Sequence, residues 1–310
     1  MHLHQDEIIR IRQEEIDMAK IGWIGIGNMG SRMSRRLLEA GHELTVCDKI
    51  KENARELIAD GAAFVENPSE LCAKADYIFS MIPNAPILKE IMAGENGVLK
   101  TVRPGTILID MSTIDPGSSA EVNKLIEPTG AKFLRATVTG SVDYAAEGTL
   151  GIMASGGRDV FEQTLPMLKI LGNRQRYLGD QEQSRFMKIC INMMLGTTMQ
   201  MLAESLVMGE KAGIDWETMV ECICDSAAAA NIVKAKEQAL KQRDFTAMAT
   251  SVMMEKDMNI AMELAREYEL ALPVAAVSRQ YYAAMRAHDM GQIDYSGLIL
   301  LNEKICGIGN

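Results

Sequence analysis

The chain has 310 residues, 47% of them hydrophobic and 24% charged, with a formal net charge of −10. That is material for one large or two ordinary domains with buried cores, and the excess of acid excludes a general nucleic-acid or anionic-membrane surface. The six cysteines form no C-x-x-C pair and no zinc spacing, so reduced thiols in a cytoplasmic protein, and no metal site, are expected.

The first 18 residues read as a polar, charged N-terminal extension without the apolar centre of a signal peptide. Ile8, Ile11 and Ile16 fall at near-helical spacing and predict a short appended helix at a subunit contact. His2 and His4 are read as ordinary terminal residues. No segment has the length and apolarity of a membrane span, so no membrane partner is expected.

Lys20-Ile21-Gly22-Trp23-Ile24 is a short apolar run that reads as a buried parallel strand. It breaks into Gly25-Ile26-Gly27-Asn28-Met29-Gly30, which fills the G-x-G-x-x-G template. A helical pattern follows, with Met29, Met33, Leu37 and Ala40 on one face and Gly41 as the stop. Glu43–Cys47 reads as a second strand, with Asp48 at its carboxyl end, 18 residues after the last glycine. Each part has a mechanical reason: Gly25 permits a tight turn, Gly27 lets a pyrophosphate approach the backbone, and Gly30 lets helix pack on strand. The helix start offers N–H groups and a favourable dipole to phosphates, and Asp48 stands where a carboxylate accepts hydrogen bonds from a ribose. A glycine triplet alone also marks ordinary turns. The strand before it and the helix after it make dinucleotide binding the reading here.

Alternation continues. A helix is predicted over about 51–60, a Pro68 helix start after Asn67, a strand Tyr77–Met81 stopped by Pro83-Asn84, and a strand Thr106–Ile109 ending at Asp110-Met111-Ser112-Thr113. A helix over 116–127, a strand over 131–136, and a further strand, helix and strand to Leu178 complete it. This predicts an α/β Rossmann domain with a doubly wound parallel sheet, its ligands beyond the strands' carboxyl ends. From about Ser184 to Ala212 apolar residues occur almost all round, which predicts a long buried helix on the order of 40 Å. Helices over 215–225, 232–242, 251–267, 274–288 and 295–305 follow, an all-α C-terminal domain. The expected boundaries are an extension over 1–18, the dinucleotide domain over 19–180 and the helical domain over 181–310.

Lys188 interrupts that buried helix, and Asn192 lies one turn further on the same face. Such a lysine either snorkels to water or a carboxylate, or is desolvated so that its pKa falls towards the range of proton transfer. A cofactor domain immediately before it favours the second.

With these residues together, the chain resembles the β-hydroxyacid dehydrogenases, the group of 3-hydroxyisobutyrate dehydrogenase, tartronate semialdehyde reductase and 2-(hydroxymethyl)glutarate dehydrogenase. The resemblance runs from about Lys20 to Ile305 and rests on the glycine loop, Pro83-Asn84, Asp110-Met111-Ser112-Thr113, Lys188 with Asn192, and Lys256-Asp257. It implies NAD-dependent hydride transfer on a small anionic 3-hydroxyacid or its semialdehyde. Lys188 would be the general acid/base, with Asn192 orienting the reacting oxygen or the lysine. Ser112 or Thr113 would lie near the nicotinamide, and Lys256 near the same end of the cofactor. Thr139, Gly140 and Ser141 would hold the substrate's acidic group, in a homodimer or homotetramer.

The family's D-x-P-V-S-G-G substrate loop reads Arg135-Ala136-Thr137-Val138-Thr139-Gly140-Ser141 in this chain, and its G-x-G before the lysine reads Glu182-Gln183-Ser184. Arg185, three residues before Lys188, is expected either to face the substrate as a forked anion seat or to pair with Asp180 or Glu182 at the surface. Asp48 argues for NAD over NADP, since a carboxylate there repels a 2′-phosphate; Lys49 is a possible phosphate partner. Alternatives are an imine or other carbonyl reductase on the same scaffold, and a non-catalytic dinucleotide-binding protein.

Overall fold

The computed structural model describes residues 18–308. The expected appended helix, with Ile8, Ile11 and Ile16, and the pair His2 and His4 lie outside the described residues. The chain divides into two compact units after Phe186.

The first unit carries β1 (Lys20–Ile24), α1 (Asn28–Glu39), β2 (Glu43–Cys47), α2 (Arg55–Ala59), β3 (Ala63–Phe64), α3 (Pro68–Cys72) and β4 (Tyr77–Ser80). Then come α4 (Ala85–Ala93), β5 (Ile107–Asp110), α5 (Pro116–Ile126), β6 (Lys132–Thr139), α6 (Val142–Glu147), β7 (Leu150–Gly156), α7 (Arg158–Leu171) and β8 (Gly172–Tyr177). The strands form one sheet in the order β3-β2-β1-β4-β5-β6-β7-β8. Strand order reverses beside β1, so a crevice opens between the β1 and β4 carboxyl ends. Period-two alternation sends side chains to two apolar layers: Trp23, Phe79, Ile109 and Leu134 enter one with Met33 and Leu37 of α1. Ile24, Ile78, Leu108 and Phe133 enter the other with Leu88 of α4 and Val122 of α5. Burial on both faces is why these strands read as continuous apolar runs.

One pairing departs from the expected parallel sheet. β7 runs antiparallel to β6, with Leu134 opposite Gly156 and Thr139 opposite Gly151, whereas the other pairings are parallel. Only residues 140–149 separate the two strands. A parallel crossover needs about a dozen residues or more, so the short α6 can only turn the chain back.

The long helix α8 (Gln183–Lys211) starts in the first unit and continues into the second. The division therefore falls inside the helix rather than at Asp180, because its first turn is bonded to the sheet strands by side chains described below. The second unit adds α9 (Trp216–Asp225), α10 (Asn231–Ala235), α11 (Glu237–Lys241), α12 (Ser251–Glu267), α13 (Pro273–Ala287) and α14 (Leu298–Ile305). Its core gathers Leu206, Val220, Met258, Tyr282, Met285 and Leu298. At Gly196 an added Cβ would lie 3.0 Å from the Met254 sulfur, and the Tyr282 hydroxyl donates to the Gly196 carbonyl at 3.0 Å. The glycine lets α12 and α13 press against α8.

The expectation that α8 is buried all round needs correcting. Met187, Met194, Met201 and Met208 are 41%, 69%, 60% and 74% exposed. Their heptad spacing leaves one seam of the helix uncovered in this chain, while the opposite side packs into the core. Among the described residues no helix is long and apolar enough to cross a membrane, and no group of three or more His, Cys, Asp or Glu is placed to hold a metal ion.

Candidate active site

The first unit builds a rim from the loops that follow its strands. Gly25 takes φ +93°, and a Cβ there would strike the Met81 carbonyl oxygen at 2.3 Å. At Gly30 a Cβ would come 1.9 Å from the Gly25 carbonyl oxygen, so no side chain fits where α1 meets β1. At Gly27 it would meet nothing within 4 Å. The outer side of the loop is therefore open beside the start of α1, which has no side-chain cap, and Asn28 is exposed there with Met29 half-buried. An uncapped helix start beside an open glycine fits a dinucleotide pyrophosphate.

Asp48, half-buried, turns its carboxylate onto the same loop. One oxygen accepts from the Ile26 N–H at 2.6 Å, the other from the Ile50 N–H at 2.8 Å and the Asn53 amide at 3.1 Å. A carboxylate offers about four acceptor positions, so capacity for a ribose hydroxyl remains. Pro83 is exposed, and Asn84 caps α4 by accepting from the Ile87 N–H at 3.1 Å. Ser112 is fully buried. Its hydroxyl accepts from the Ile82 N–H at 2.9 Å and donates to Asp110 at 2.8 Å, so it shapes the rim from within. Thr113 is the partly exposed member of that pair.

At the end of β6, Thr139 is half-buried and Gly140 is exposed at φ +132°. A Cβ at Gly140 would lie 2.8 Å from a Leu150 methyl group. Ser141 occupies the N-cap position of α6 without making a side-chain cap bond, which leaves its hydroxyl uncommitted to the helix.

Arg185 is not where the anion-seat reading puts it. The side chain is fully buried. Its guanidinium donates to Asp110 at 2.6 Å, to the Ser112 carbonyl at 2.6 Å and to the Ser119 hydroxyl at 3.2 Å. The fork is consumed inside the first unit, so it offers nothing to a substrate, and it is not a surface pair with Asp180 or Glu182 either. Glu182 instead pairs with Arg135, both nearly buried, and the Arg135 guanidinium stacks 4.8 Å from the Phe133 ring centroid. The Thr137 hydroxyl donates to the Ser184 carbonyl at 3.0 Å, and the Ser184 N–H donates to the Ser155 hydroxyl at 3.2 Å. The departures from the family pattern are thus partners of one another: Arg135 meets Glu182, and Thr137 meets Ser184. Helical spacing alone cannot reveal this, because one partner of each pair lies on β6 and the other at the start of α8.

The second unit holds the ionisable cluster. Lys188 is half-buried on α8 and Asn192 is buried one turn on. The Asn192 amide donates to Asp257 at 2.5 Å, and the other oxygen of that carboxylate lies 3.1 Å from the Lys256 ammonium. Burial pushes the Lys188 ammonium below its ordinary pKa; the Asp257 carboxylate pulls it back up, and the Lys256 cation lowers it. Asp257 is the member of this cluster that sequence reasoning left without a role. Its place after Lys256 on α12 is the signal that could have marked it.

Comparison with known proteins follows the same division. Residues 20–186 match the NAD binding domain of 6-phosphogluconate dehydrogenase. Residues 183–301 match the NAD-binding region of NADP-dependent 3-hydroxyisobutyrate dehydrogenase. A 2-(hydroxymethyl)glutarate dehydrogenase from Eubacterium barkeri is 34% identical over 93% of this chain and 96% of its own length. A 2-hydroxy-3-oxopropionate reductase from Escherichia coli K12 is 30% identical over 90% and 96%. The solved Mycobacterium tuberculosis 3-hydroxyisobutyrate dehydrogenase with L-serine superposes with a TM-score of 0.83 at 28% identity, over 92% of this chain and 99% of that one. The chain therefore belongs to the β-hydroxyacid dehydrogenase family, oxidoreductases that act on CH–OH groups with a nicotinamide dinucleotide.

Proposed function

We propose that this chain is an NAD-dependent dehydrogenase or reductase of a small anionic 3-hydroxyacid or its semialdehyde, with Lys188 as the general acid/base. The observation that carries the reading is the Lys188, Asn192 and Asp257 cluster: a lysine with a lowered pKa, on one helix face with an amide fixed by a carboxylate. When bound, the dinucleotide supplies or accepts the hydride. Lys188 Nζ takes the hydroxyl proton in oxidation and returns it to the oxygen in reduction. Asn192, its amide nitrogen held by Asp257, orients the reacting oxygen or the lysine. Thr139, Gly140 and Ser141 receive the substrate carboxylate through hydroxyl and backbone groups.

Gly25, Gly27, Asn28, Met29 and Gly30 would receive the pyrophosphate. Pro83, Asn84, Ser112, Thr113 and Lys256 belong to the nicotinamide end on this reading. Asp48 supports NAD over NADP, because a 2′-phosphate would meet a carboxylate already facing the loop. A cytoplasmic location accords with six free thiols. A homodimer or homotetramer is supported by the methionine seam of α8 and by the apolar groove of about 760 Å³ beside it, lined by Met194, Met201 and Val274. The decisive experiment follows NADH absorbance across hydroxyacids, semialdehydes and imines. Turnover of 3-hydroxyacids or semialdehydes is expected, and turnover of imines alone, or of none, would sink the reading.

A further inference from the structure

We propose that Arg185 is a positioning residue for the dinucleotide, holding in shape the two loops that follow β4 and β5; this rests on the reading of that rim as the cofactor site. The argument is one of connectivity. Three guanidinium nitrogens reach three different parts of one segment: the end of β5 at Asp110, the loop at the Ser112 carbonyl, and α5 at Ser119. Asp110 is satisfied in turn, its second oxygen accepting from the Ser80 hydroxyl at 2.5 Å and from Ser112 at 2.8 Å. Ser112 then accepts the Ile82 N–H, one residue before Pro83. An unbroken path of hydrogen bonds therefore runs from the first turn of α8 through both rim loops.

The chemistry of the path requires arginine. Asp110 and Arg185 are each 0% exposed, so removal of the cation leaves a buried carboxylate without its counter-charge. A lysine could restore the charge but not three divergent donors, because the ammonium is a point and the guanidinium a rigid fork. Full burial also excludes direct contact with a ligand. Whatever Arg185 does for the cofactor, it does through Ser112 and Ile82.

The molecule carries its own control. Arg135 and Glu182 form a second buried ion pair beside the same turn of α8, yet neither is hydrogen-bonded to Ser112 or Ile82, whose partners are given above. The carboxylate of Glu182 and the Nε of Arg135 lack good hydrogen-bond partners. A purely structural role for buried charge would apply to both pairs alike. A positioning role applies to Arg185 alone.

The test is NADH titration by fluorescence on the full-length protein, with thermal melts alongside and with KM for NAD and kcat from steady state. Arg185→Ala is expected to weaken NADH binding by about tenfold or more, the loss of at least one charge-assisted hydrogen bond's worth of order. Arg185→Lys should recover only part of it, and KM for NAD should rise more than kcat falls. Ser119→Ala removes one of the three bonds with almost no change of shape, and should weaken binding by about twofold to fivefold. It decides the matter if Arg185→Ala does not fold. The double variant Arg135→Met with Glu182→Gln should shift the melting temperature while leaving NADH affinity near native. Native affinity in folded Arg185→Lys and Ser119→Ala, or an equal loss in the Arg135/Glu182 variant, would overturn the proposal. Failure of the native protein to bind NADH or NADPH would overturn the reading of the rim, and the proposal with it.

Discussion

Asp110 and Asp257 are both buried carboxylates beside basic side chains, and they are finished differently. Asp110 has both oxygens occupied, by a guanidinium and two hydroxyls, and its partner Arg185 is as buried as it is. Asp257 grips the Asn192 amide with one oxygen, while the other faces a Lys256 ammonium that is one-third exposed. Nearby Lys188 is left with its charge disfavoured. A completed charge cluster locks geometry; an incomplete one stores the electrostatic imbalance that proton transfer draws on.

The largest effect is expected at the imbalance itself. Lys188→Ala should lower kcat by about 10²–10⁴, the usual worth of a general acid/base, with NADH binding intact. Unchanged turnover would remove the lysine from the mechanism. The completed cluster should answer in stability. Asp110→Ala strands a buried guanidinium and should cost about 3–5 kcal/mol in urea unfolding, far more than Asp257→Asn, and equal losses would erase the contrast. At the glycine loop, Asp48→Ala should narrow an NAD preference of about tenfold, near 1.4 kcal/mol. Equal kcat/KM for the two cofactors in the native protein would refute that preference directly.

The smallest effect is the most diagnostic of sign. Oxidation needs neutral Lys188, so kcat/KM should rise with pH through that group's pKa, at a pH below the ordinary lysine range. The Asp257 carboxylate raises that pKa, and Asp257→Asn should therefore move the midpoint to lower pH. Movement to higher pH would mean that another group titrates.

The first unit was legible because its signals are local. The glycine spacing, the apolar strand runs and the family motifs each lie within a few residues, and strand, loop and helix are dictated together. Lys188 stood out because a charge in an apolar helix violates its own period. What escaped was pairing over distance. Periodicity places Arg185 on a face of α8 but not within reach of Asp110, and it reads Arg135 and Glu182 as two anomalies instead of one ion pair. The reversed direction of β7 was readable in principle from the shortness of the 140–149 link. The methionines of α8 were misread because an exposed seam and a buried face carry the same apolar letters.

Because β7 turns straight back on β6, the strand that ends at Thr139 finds six of its partners among the nearest residues in the chain. β1, by contrast, must wait for Tyr77 and its neighbours before its second edge is filled. Loop-closure entropy makes the first pairing the less costly to reach. The arm that ends in Thr139, Gly140 and Ser141 is thus supported by contacts between near neighbours in the chain, whereas the crevice between β1 and β4 exists only once more distant segments have met. On refolding, the arm proposed to hold the substrate is therefore the less costly to close, and the crevice proposed for the dinucleotide the more costly.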